Sequence, residues 1–401
     1  MRILHTSDWH LGRSLHGADL SEAADAFLEW LIAYIQANPV GALLVSGDIF
    51  DRALPPIASL RRLSSALETL CDLTTVVITP GNHDSATRLG FAARLIQPQL
   101  RIISDVADIG RPVEIGTGDN GALIYPLPYL EPDLTRHSLS HDDDLVARSH
   151  EAVISAALRR IRSDLYVRRA QGDQRAAICM VHAFISGGAP SDSERDIQVG
   201  GVDSIPAAIF DSLGGNHHEG DTYSHCTLSY IAAGHLHRAQ NISGATVPIR
   251  YSGSPLAYSF SEVGVKKSVT IVTLSEGKVQ QIDSVEIPEF RPLAQIRDSL
   301  ENLLSPTYEW AQQSWLHITV TDTHRPPELV TRLRDHFPYA LVILHEGAVT
   351  GDILPSASIV GRTTREIAQS FFTDVGGRDL NADEHALLDD ILTAMRSKDS
   401  Q

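Results

Sequence analysis

The chain has 401 residues, 43% of them hydrophobic, and carries a formal net charge of −17. This length and composition predict two domains followed by a carboxyl-terminal appendage. Proteins that bind phosphate backbones usually present a basic surface, so the overall charge argues against a DNA-binding protein. Divalent cations held by carboxylates and histidines would reverse that sign locally, and the 18 histidines are a high count.

The cysteines and the first residues bear on the cellular compartment. Cys71, Cys179 and Cys226 are an odd number without C-x-x-C spacing, which argues against a disulfide framework and a cysteine zinc site. Residues 1–8 lack the basic start and apolar run of a signal peptide, and no stretch approaches the ~18 apolar residues of a membrane span. We therefore expect a cytoplasmic protein.

The first two-thirds of the chain alternate β-rich runs with helical patterns, as β-α-β units do. Strands are predicted at residues 3–6, 43–46, 76–79, 177–181, 229–233 and 249–251. A helix is predicted at 19–38, where Asp19 and Glu22 have the spacing of a capping box. A second helical pattern carries Leu60, Leu63, Leu67 and Leu70 on one face. These elements predict an α/β fold.

The pattern changes after a hairpin of residues 268–274 and 278–287, which turns at Glu276-Gly277. A small α+β unit is then predicted from a helix at 293–304, a strand at 315–320, a helix at 327–337 and a strand at 340–344. Two amphipathic helical patterns follow at 363–373 and 383–395. Two isolated helices bury little surface by themselves, so we expect this tail to bind a partner. The predicted domains are residues 1–288, 289–350 and 363–397.

Five predicted strands are followed directly by acids, amides or histidines. These clusters are Asp8-Trp9-His10, Gly47-Asp48-Ile49-Phe50-Asp51, Gly81-Asn82-His83-Asp84, His182 and Gly234-His235-Leu236-His237. The carboxyl ends of strands in open α/β sheets converge on the ligand crevice, so all five clusters can meet there. Carboxylate, imidazole and amide ligands without thiolate favour manganese, iron or magnesium and are compatible with zinc. Residues i and i+2 of an extended segment point to the same side, so Asp8 with His10, and His235 with His237, can each hold one ion.

Each cluster alone has an ordinary structural explanation. An isolated Asp-x-His is more often a turn residue beside a buried histidine, and Gly-Asp-x-x-Asp or Gly-Asn-His-Asp is common in turns. His182 by itself is equally well explained as a core histidine. The occurrence of all five clusters, in this order and always after a strand, has no comparable structural explanation.

The five clusters resemble, in type and order, the motifs of the calcineurin-like metallophosphoesterases. The resemblance implies a two-sheet α/β sandwich flanked by helices. It also implies that Asp8, His10, Asp48 and His237 hold one ion and that Asp48, Asn82, His182 and His235 hold the other. Asp48 then bridges the two ions. In that family the histidine matching His83 is the leaving-group acid and not a ligand. Asp84 is expected to orient His83.

Further segments are similar to the SbcD family of recombination nucleases, namely residues 5–12, 195–197, 251–255 and Ser259-Phe260. This similarity implies manganese dependence, 3′-to-5′ exonuclease action on duplex DNA and endonuclease action on single strands and hairpins. It also implies a homodimer, expected through helices at 57–71 and 90–97, that works with an SbcC-type ATPase. The chain has no Gly-x-x-x-x-Gly-Lys-Ser/Thr loop, so the ATP site must lie on the partner. Asp51 stands where archaeal and eukaryotic nucleases tend to carry a second catalytic histidine, so that role does not transfer.

Two other functions remain open on the sequence alone. A small-molecule phosphodiesterase or nucleotidase would use the same ions, and the acidic charge favours it. A binding module that kept its ligands and lost catalysis is disfavoured by the intact Asp8, Asn82 and His83. Cleavage of a DNA hairpin separates the nuclease from both alternatives.

Overall fold

The computed structural model describes residues 1–95, 98–140, 145–194, 204–214, 225–347, 363, 365–366, 369 and 380–398. Its strands are β1 (Arg2–Thr6), β2 (Ser14–Leu15), β3 (Ala18–Asp19), β4 (Ala42–Ser46), β5 (Thr75–Thr79), β6 (Leu100–Ile102), β7 (Val113–Ile115), β8 (Ala122–Pro126), β9 (Ala176–His182), β10 (Tyr230–Gly234), β11 (Gln240–Ile242), β12 (Ile249–Tyr251), β13 (Ser268–Ser275), β14 (Lys278–Glu286), β15 (Leu293–Asp298), β16 (Trp315–Val320) and β17 (Ala340–His345).

The α-helices of the described residues pack on both sides of these strands or follow them. They are α1 (Ser21–Ala37), α2 (Ile57–Leu73), α3 (Ala86–Leu89), α4 (Pro132–Leu139), α5 (His150–Ala170), α6 (Ile209–Ser212), α7 (Leu300–Leu303), α8 (Leu329–His336) and α9 (Ala382–Lys398). Short 3₁₀ turns lie at Ala93–Leu95, Val106–Asp108, Gly118–Asn120, Phe260–Glu262 and Pro306–Gln313. None of the helices in the described part of the chain is long and apolar enough to cross a membrane.

Two six-stranded sheets face each other. Their orders are β14-β13-β1-β4-β5-β6 and β11-β12-β10-β9-β8-β7. The layer between them is apolar and contains Ile3, Leu44 and Val77 from one sheet, with Ile124 and Ile178 from the other. Helices α1 and α2 cover the outer face of the first sheet, and α4 and α5 cover that of the second. The predicted two-sheet α/β sandwich flanked by helices is confirmed.

The central strands are apolar up to their carboxyl ends because both of their faces are covered. Every residue of β4, β9 and β10 is buried. Continuous apolar runs of this kind are typical of parallel strands between two layers. Strands β1, β4 and β5 are parallel, as are β9, β10 and β12, so their carboxyl ends lie at one edge of each sheet.

Ser46 joins the two sheets at this edge. Its hydroxyl donates to the carbonyl of Ala232 at 2.9 Å, and its own carbonyl accepts from Nδ1 of His182 at 3.0 Å. The carboxyl ends of β4, β9 and β10 are therefore held against one another, which brings the polar clusters of both sheets together.

A small parallel sheet, β15-β16-β17, follows the sandwich and packs with α7 and α8 around its own core. It contacts the sandwich through Leu293, which packs with Leu15, Leu20, Tyr258 and Phe260. The predicted strands at 315–320 and 340–344 and the helix at 327–337 match β16, β17 and α8.

The helix predicted at 293–304 is wrong. Residues Leu293–Asp298 form β15, which pairs in parallel with β16, and only Leu300–Leu303 are helical. The side chain of Ser299 caps this last turn by accepting from the backbone N–H of Asn302. The apolar residues of the segment fit either period in part, and pairing with a neighbouring strand decided between them.

Two further local predictions also fail. The capping box at α1 does not form, because Asp19 lies in β3 and its side chain accepts only from the adjacent turn, at Ser21 N. The helix predicted at 90–97 is wrong in its described part, where α3 ends before Gly90 and a 3₁₀ turn covers Ala93–Leu95. Residues 96–97, 195–197 and most of 363–373 lie outside the described residues. Helix α9 contains the one predicted at 383–395.

Candidate metal centre

The carboxyl ends of the central strands bring the predicted ligands together in one cluster, in which Asn82 is exposed, His235 is partly buried and the others are buried. Asp8, His10, Asp48, His182 and His237 are all nearly inaccessible to solvent. Three groups drawn from these residues and His83 have ligand atoms close enough to share one ion. These groups are Asp8, His10 and His237; Asp8, Asp48 and His182; and His10, Asp48 and His83.

The first half of the centre lies around His10. Its Nε2 is 3.0 Å from Nε2 of His237 and 3.6 Å from Oδ2 of Asp48. Two imidazole nitrogens that face each other at this distance need either a proton or a cation between them. Asp8 completes the group on the side of the first sheet.

The second half lies around Asn82. Its Oδ1 is 2.9 Å from Nε2 of His182 and 3.0 Å from Nδ1 of His235. His182 Nε2 is also 3.4 Å from Asp48 Oδ2. The Asp48 oxygen therefore lies between His10 on one side and His182 on the other.

These spacings fit metal coordination. Two ligand atoms that are each ~2.1 Å from one ion lie ~3.0 Å apart at a right angle and ~3.4 Å apart at a tetrahedral angle. The distances between ligand atoms given above lie between 2.9 and 3.6 Å when the two halves are taken together. The donors are carboxylate, imidazole and amide oxygen, with no thiolate among them. The residues present therefore fit two divalent ions that share Asp48.

The backbone at the ligands adopts conformations that side chains disfavour. Asp8, His10 and Asp48 have φ angles of 54°, 42° and 51°, and His235 has 108°. Such conformations cost about 1–3 kcal/mol each and persist only when the surrounding structure enforces them. Strained backbone conformations of this kind are often concentrated at functional sites, and here four of them lie at the predicted ligands.

Three glycines leave room for the ligands. A Cβ on Gly81 would overlap Oδ1 of Asp48, one on Gly47 would overlap the ring of His182, and one on Gly234 would overlap the carbonyl of Ser46. Gly47 also has a positive φ of 84°. Each of these positions requires glycine because another part of the centre occupies the space of the side chain.

Burial controls protonation within the centre. It lowers the pKa of His235 to about 3 and the pKa values of His10 and His237 well below the usual range, so all three are neutral and present lone pairs. Burial raises the pKa of Asp8 to about 7. Burial opposes ionisation of Asp48 as well, but the positive charge of His182 outweighs it and holds the pKa of Asp48 well below its usual range.

His182 responds in the opposite direction. Burial would lower its pKa, but the adjacent Asp48 carboxylate raises it to about 9. Ligation of a cation uses the same Nε2 lone pair that binds this proton, so metal binding competes with protonation of His182.

His83 lies beside the centre with its ring held from behind. Its Nδ1 donates to the carbonyl of Asp51 at 2.7 Å, and its Nε2 is 4.0 Å from Asp48 Oδ2. That Asp84 orients this ring stays a prediction, and no hydrogen bond in the described structure joins Asp84 to the ring itself. Asp84 instead accepts from the backbone N–H groups of Ile49, Phe50 and Gly81 at 2.9 to 3.0 Å. Asp84 therefore ties together the two loops that carry Asp48 and His83.

Several residues that support the ligands carry no signal in the sequence. Ser7 donates to Asp8 at 2.5 Å, and Ser193 Oγ is 2.6 Å from Nδ1 of His237. Glu194 accepts from the backbone N–H of His237 at 2.6 Å. Serines and glutamates in loops are common, so only their position in space distinguishes them.

Gly81→Ala is expected to remove both ions, because the new Cβ displaces the shared Asp48 carboxylate. The check is the Mn²⁺ content of the purified protein by elemental analysis. Gly347→Ala is the matched control, since its Cβ would have its nearest neighbour at an ordinary 3.4 Å. Full metal content in Gly81→Ala would contradict the shared position of Asp48.

The chain is similar to several known proteins. The calcineurin-like phosphoesterase family matches residues 1–239, and the Type 5 capsule protein repressor C-terminal domain matches residues 289–375. The SbcD subunit of the SbcCD nuclease of Escherichia coli K12 is 33% identical over 336 residues, which are 80% of this chain and 78% of the relative. Its Bacillus subtilis counterpart is 34% identical over 353 residues, 84% of each chain. A dimetal phosphatase from Danio rerio superposes with a TM-score of 0.40 and 12% identity, covering 72% of this chain and 97% of that one. The chain belongs to the calcineurin-like phosphoesterases and, within them, to the family of the SbcD nuclease subunits.

Proposed function

We propose that the chain is a cytoplasmic, metal-dependent DNA nuclease that acts with an SbcC-type ATPase in the processing of DNA ends during recombination and repair. The observation that carries the chemistry is the Asp48 carboxylate, whose Oδ2 lies 3.6 Å from His10 Nε2 and 3.4 Å from His182 Nε2. A carboxylate that lies between the His10 group and the His182 group suits a pair of divalent ions. The family membership supports DNA as the substrate.

The ligand sets are Asp8, His10, Asp48 and His237 for one ion and Asp48, Asn82, His182 and His235 for the other. Two such ions supply Lewis acidity at the phosphoryl group and lower the pKa of water. We infer Mn²⁺ from the SbcD resemblance, and the mixture of carboxylate, imidazole and amide donors is compatible with it. On the SbcD resemblance, the activities are 3′-to-5′ cutting of duplex ends and endonuclease cutting of single strands and hairpins.

His83 supplies the proton for the departing sugar oxygen in this proposal. The Asp51 carbonyl can only accept, so Nδ1 of His83 carries a proton and Nε2 faces the centre. To act as the acid, His83 must also carry a proton on Nε2, the nitrogen that faces the centre. Asp84 is a positioning residue, because its contacts are to the backbone of the loops and not to the ring of His83.

The net charge of −17 favours a small-molecule phosphodiesterase as the competing function. Bis-p-nitrophenyl phosphate does not separate the two functions, since both enzymes cleave it. A Mn²⁺-dependent assay on a DNA hairpin does separate them, because an enzyme for small molecules is not expected to open a folded duplex. Cleavage of the small ester with no cutting of the hairpin would overturn the proposed nuclease.

His83→Gln is expected to lower hairpin cleavage by ~10² to 10⁴-fold, the usual contribution of a general acid, while the metal content stays unchanged. Asp48→Ala should lose both activity and metal. His324→Gln is the control, because His324 is exposed in the small unit. Normal cleavage by His83→Gln, or loss of its metal, would refute the assignment.

We further propose a homodimer through the segments 54–60 and 91–95. Ile57 and Leu95 are 68% and 87% exposed, and Leu54, Leu60 and Phe91 are exposed as well. Large apolar side chains exposed in this number are typical of a protein interface. The segment at 91–95 contributes through a turn rather than the helix expected from the sequence.

Ile57→Glu combined with Leu95→Glu should convert the dimer to monomer at micromolar concentration, because buried carboxylates would face each other across the interface. Analytical ultracentrifugation measures the change. Leu134→Glu, at a side chain that is 79% exposed elsewhere, serves as the control. A wild-type protein that is monomeric throughout this range would exclude the dimer.

The carboxyl-terminal region is proposed to bind the ATPase partner. Helix α9 exposes Leu387 and Ile391, and Phe371 and Phe372 of the other predicted helix lie outside the described residues. Leu387→Glu with Ile391→Glu should abolish co-purification with the ATPase. Mn²⁺-dependent cutting by the isolated chain should persist, because no proposed ligand lies beyond His237. Leu134→Glu again serves as the control. Co-purification of the Leu387→Glu, Ile391→Glu variant with the ATPase would count against this role.

A further inference from the structure

His237 is held at three points. Its backbone N–H donates to Oε1 of Glu194 at 2.6 Å, and its carbonyl accepts from Nζ of Lys267 and from the N–H of Ser254, both at 3.1 Å. Its ring contacts Oγ of Ser193 through Nδ1 at 2.6 Å. These contacts direct Nε2 toward His10, as a metal ligand requires.

Position alone does not make this nitrogen a ligand. A neutral imidazole carries its proton on either Nδ1 or Nε2, and only the unprotonated nitrogen has a lone pair to give. For His182 the choice is fixed by a backbone carbonyl, which can only accept from Nδ1. The partner of His237 is a hydroxyl, which can donate or accept, so the Ser193 contact does not decide the tautomer by itself.

A chain of hydrogen bonds behind Ser193 does decide it. Oγ of Ser193 is 2.7 Å from Oγ of Ser191, which in turn donates to Oε2 of Glu194 at 2.7 Å. The carboxylate only accepts, so the single proton of the Ser191 hydroxyl is directed to Glu194. Ser191 must then accept from Ser193. Ser193, whose own proton is now used, must accept from Nδ1–H of His237.

We propose that Ser191, Ser193 and Glu194 are positioning residues that form a one-way relay fixing His237 in the Nδ1–H tautomer. The relay leaves the Nε2 lone pair free for a divalent cation. This inference rests on the metal centre of the proposed function and adds a determinant of its affinity. Carboxylates that orient ligating histidines directly are common. Here the Glu194 carboxylate orients the ring of His237 through the hydroxyls of Ser191 and Ser193. The same carboxylate also accepts from the backbone N–H of His237.

The end of the relay next to His237 is almost closed to water, whereas Ser191 and Glu194 are partly exposed. Ser193 is only 4% exposed and His237 is 2% exposed, so solvent does not replace a lost partner easily. An Nε2–H tautomer would also point its proton at His10 and exclude the cation from that side. Metal affinity therefore falls when the hydrogen bonds of the relay lose their fixed direction, even if the positions of the ligands do not change.

Ser191→Ala is the decisive variant, because Ser191 lies two hydrogen bonds away from the ring of His237. Its removal leaves Ser193 in contact with His237 but without a fixed direction. We expect Mn²⁺ binding at one of the two sites to weaken by about 10-fold, and by about 10- to 100-fold in Ser193→Ala. Isothermal titration calorimetry measures both sites. Ser191→Thr keeps the hydroxyl and should restore the affinity.

The double variant Ser191→Ala, Ser193→Ala should bind Mn²⁺ no more weakly than Ser193→Ala, because Ser191 acts only through Ser193. Ser186→Ala is the matched control, since this exposed serine precedes the same loop and its hydroxyl donates to Ser204 rather than to a member of the relay. In the metal-free protein, ¹⁵N NMR of labelled histidines should show His237 as the Nδ1–H tautomer in the wild type and a mixture in Ser191→Ala.

Three results separate the relay from the metal centre. Ser191→Ala that matches Ser186→Ala in both Mn²⁺ affinity and ¹⁵N pattern would overturn the relay. Additive losses in the double variant would also overturn it, since Ser191 would then act independently of Ser193. His237→Ala tests the centre itself: if it bound two Mn²⁺ as tightly as the wild type, the proposed ligand set would fail, whatever the serine variants did.

Discussion

The buried carboxylate of Asp48 is the constraint on which the rest of the centre depends. It lies where the carboxyl ends of the two sheets meet, in a place that excludes water and therefore disfavours a charge. The histidines from both sheets keep it ionised, as the lowered pKa of its carboxyl indicates. A charge in this position requires compensating cations or protons. The proton of His182 compensates it, and a cation bound at the same Nε2 would take the place of that proton.

The fold provides this position through backbone geometry as much as through side chains. Gly81 and Gly47 leave the space that the carboxylate and the ring of His182 occupy. Asp84 holds the two loops together by accepting hydrogen bonds from three backbone N–H groups. These neighbours enforce the strained backbone conformation at Asp48. Catalytic and ligating groups are thereby fixed before any ion or substrate arrives, which is the general requirement for a preorganised site.

The acidic composition is consistent with this arrangement. Two acids, Asp8 and Asp48, lie in the buried cluster, whereas the chain has 50 acidic residues in all. Bound divalent ions would dominate the field at that cluster. The net charge of the whole chain is therefore a poor guide to the sign of the field at the site.

The sequence by itself determined the sandwich fold and the residues that cluster at the end of the sheets. Strand periodicity is a local property of the sequence, and the order of Asp8, Asp48, His182 and His237 can be read directly from it. Each of their clusters follows a strand whose end must lie at the crevice. Tertiary structure alone decided the state of residues 293–298, which became a strand by pairing with β16. It also decided the partners of polar groups: Asp84 binds backbone rather than His83, and Ser193 reaches His237 from 44 positions away in the chain. Hydrogen-bond partners that are distant in sequence leave no periodic trace, because a loop serine or glutamate has the same local pattern whether or not it supports a metal ligand.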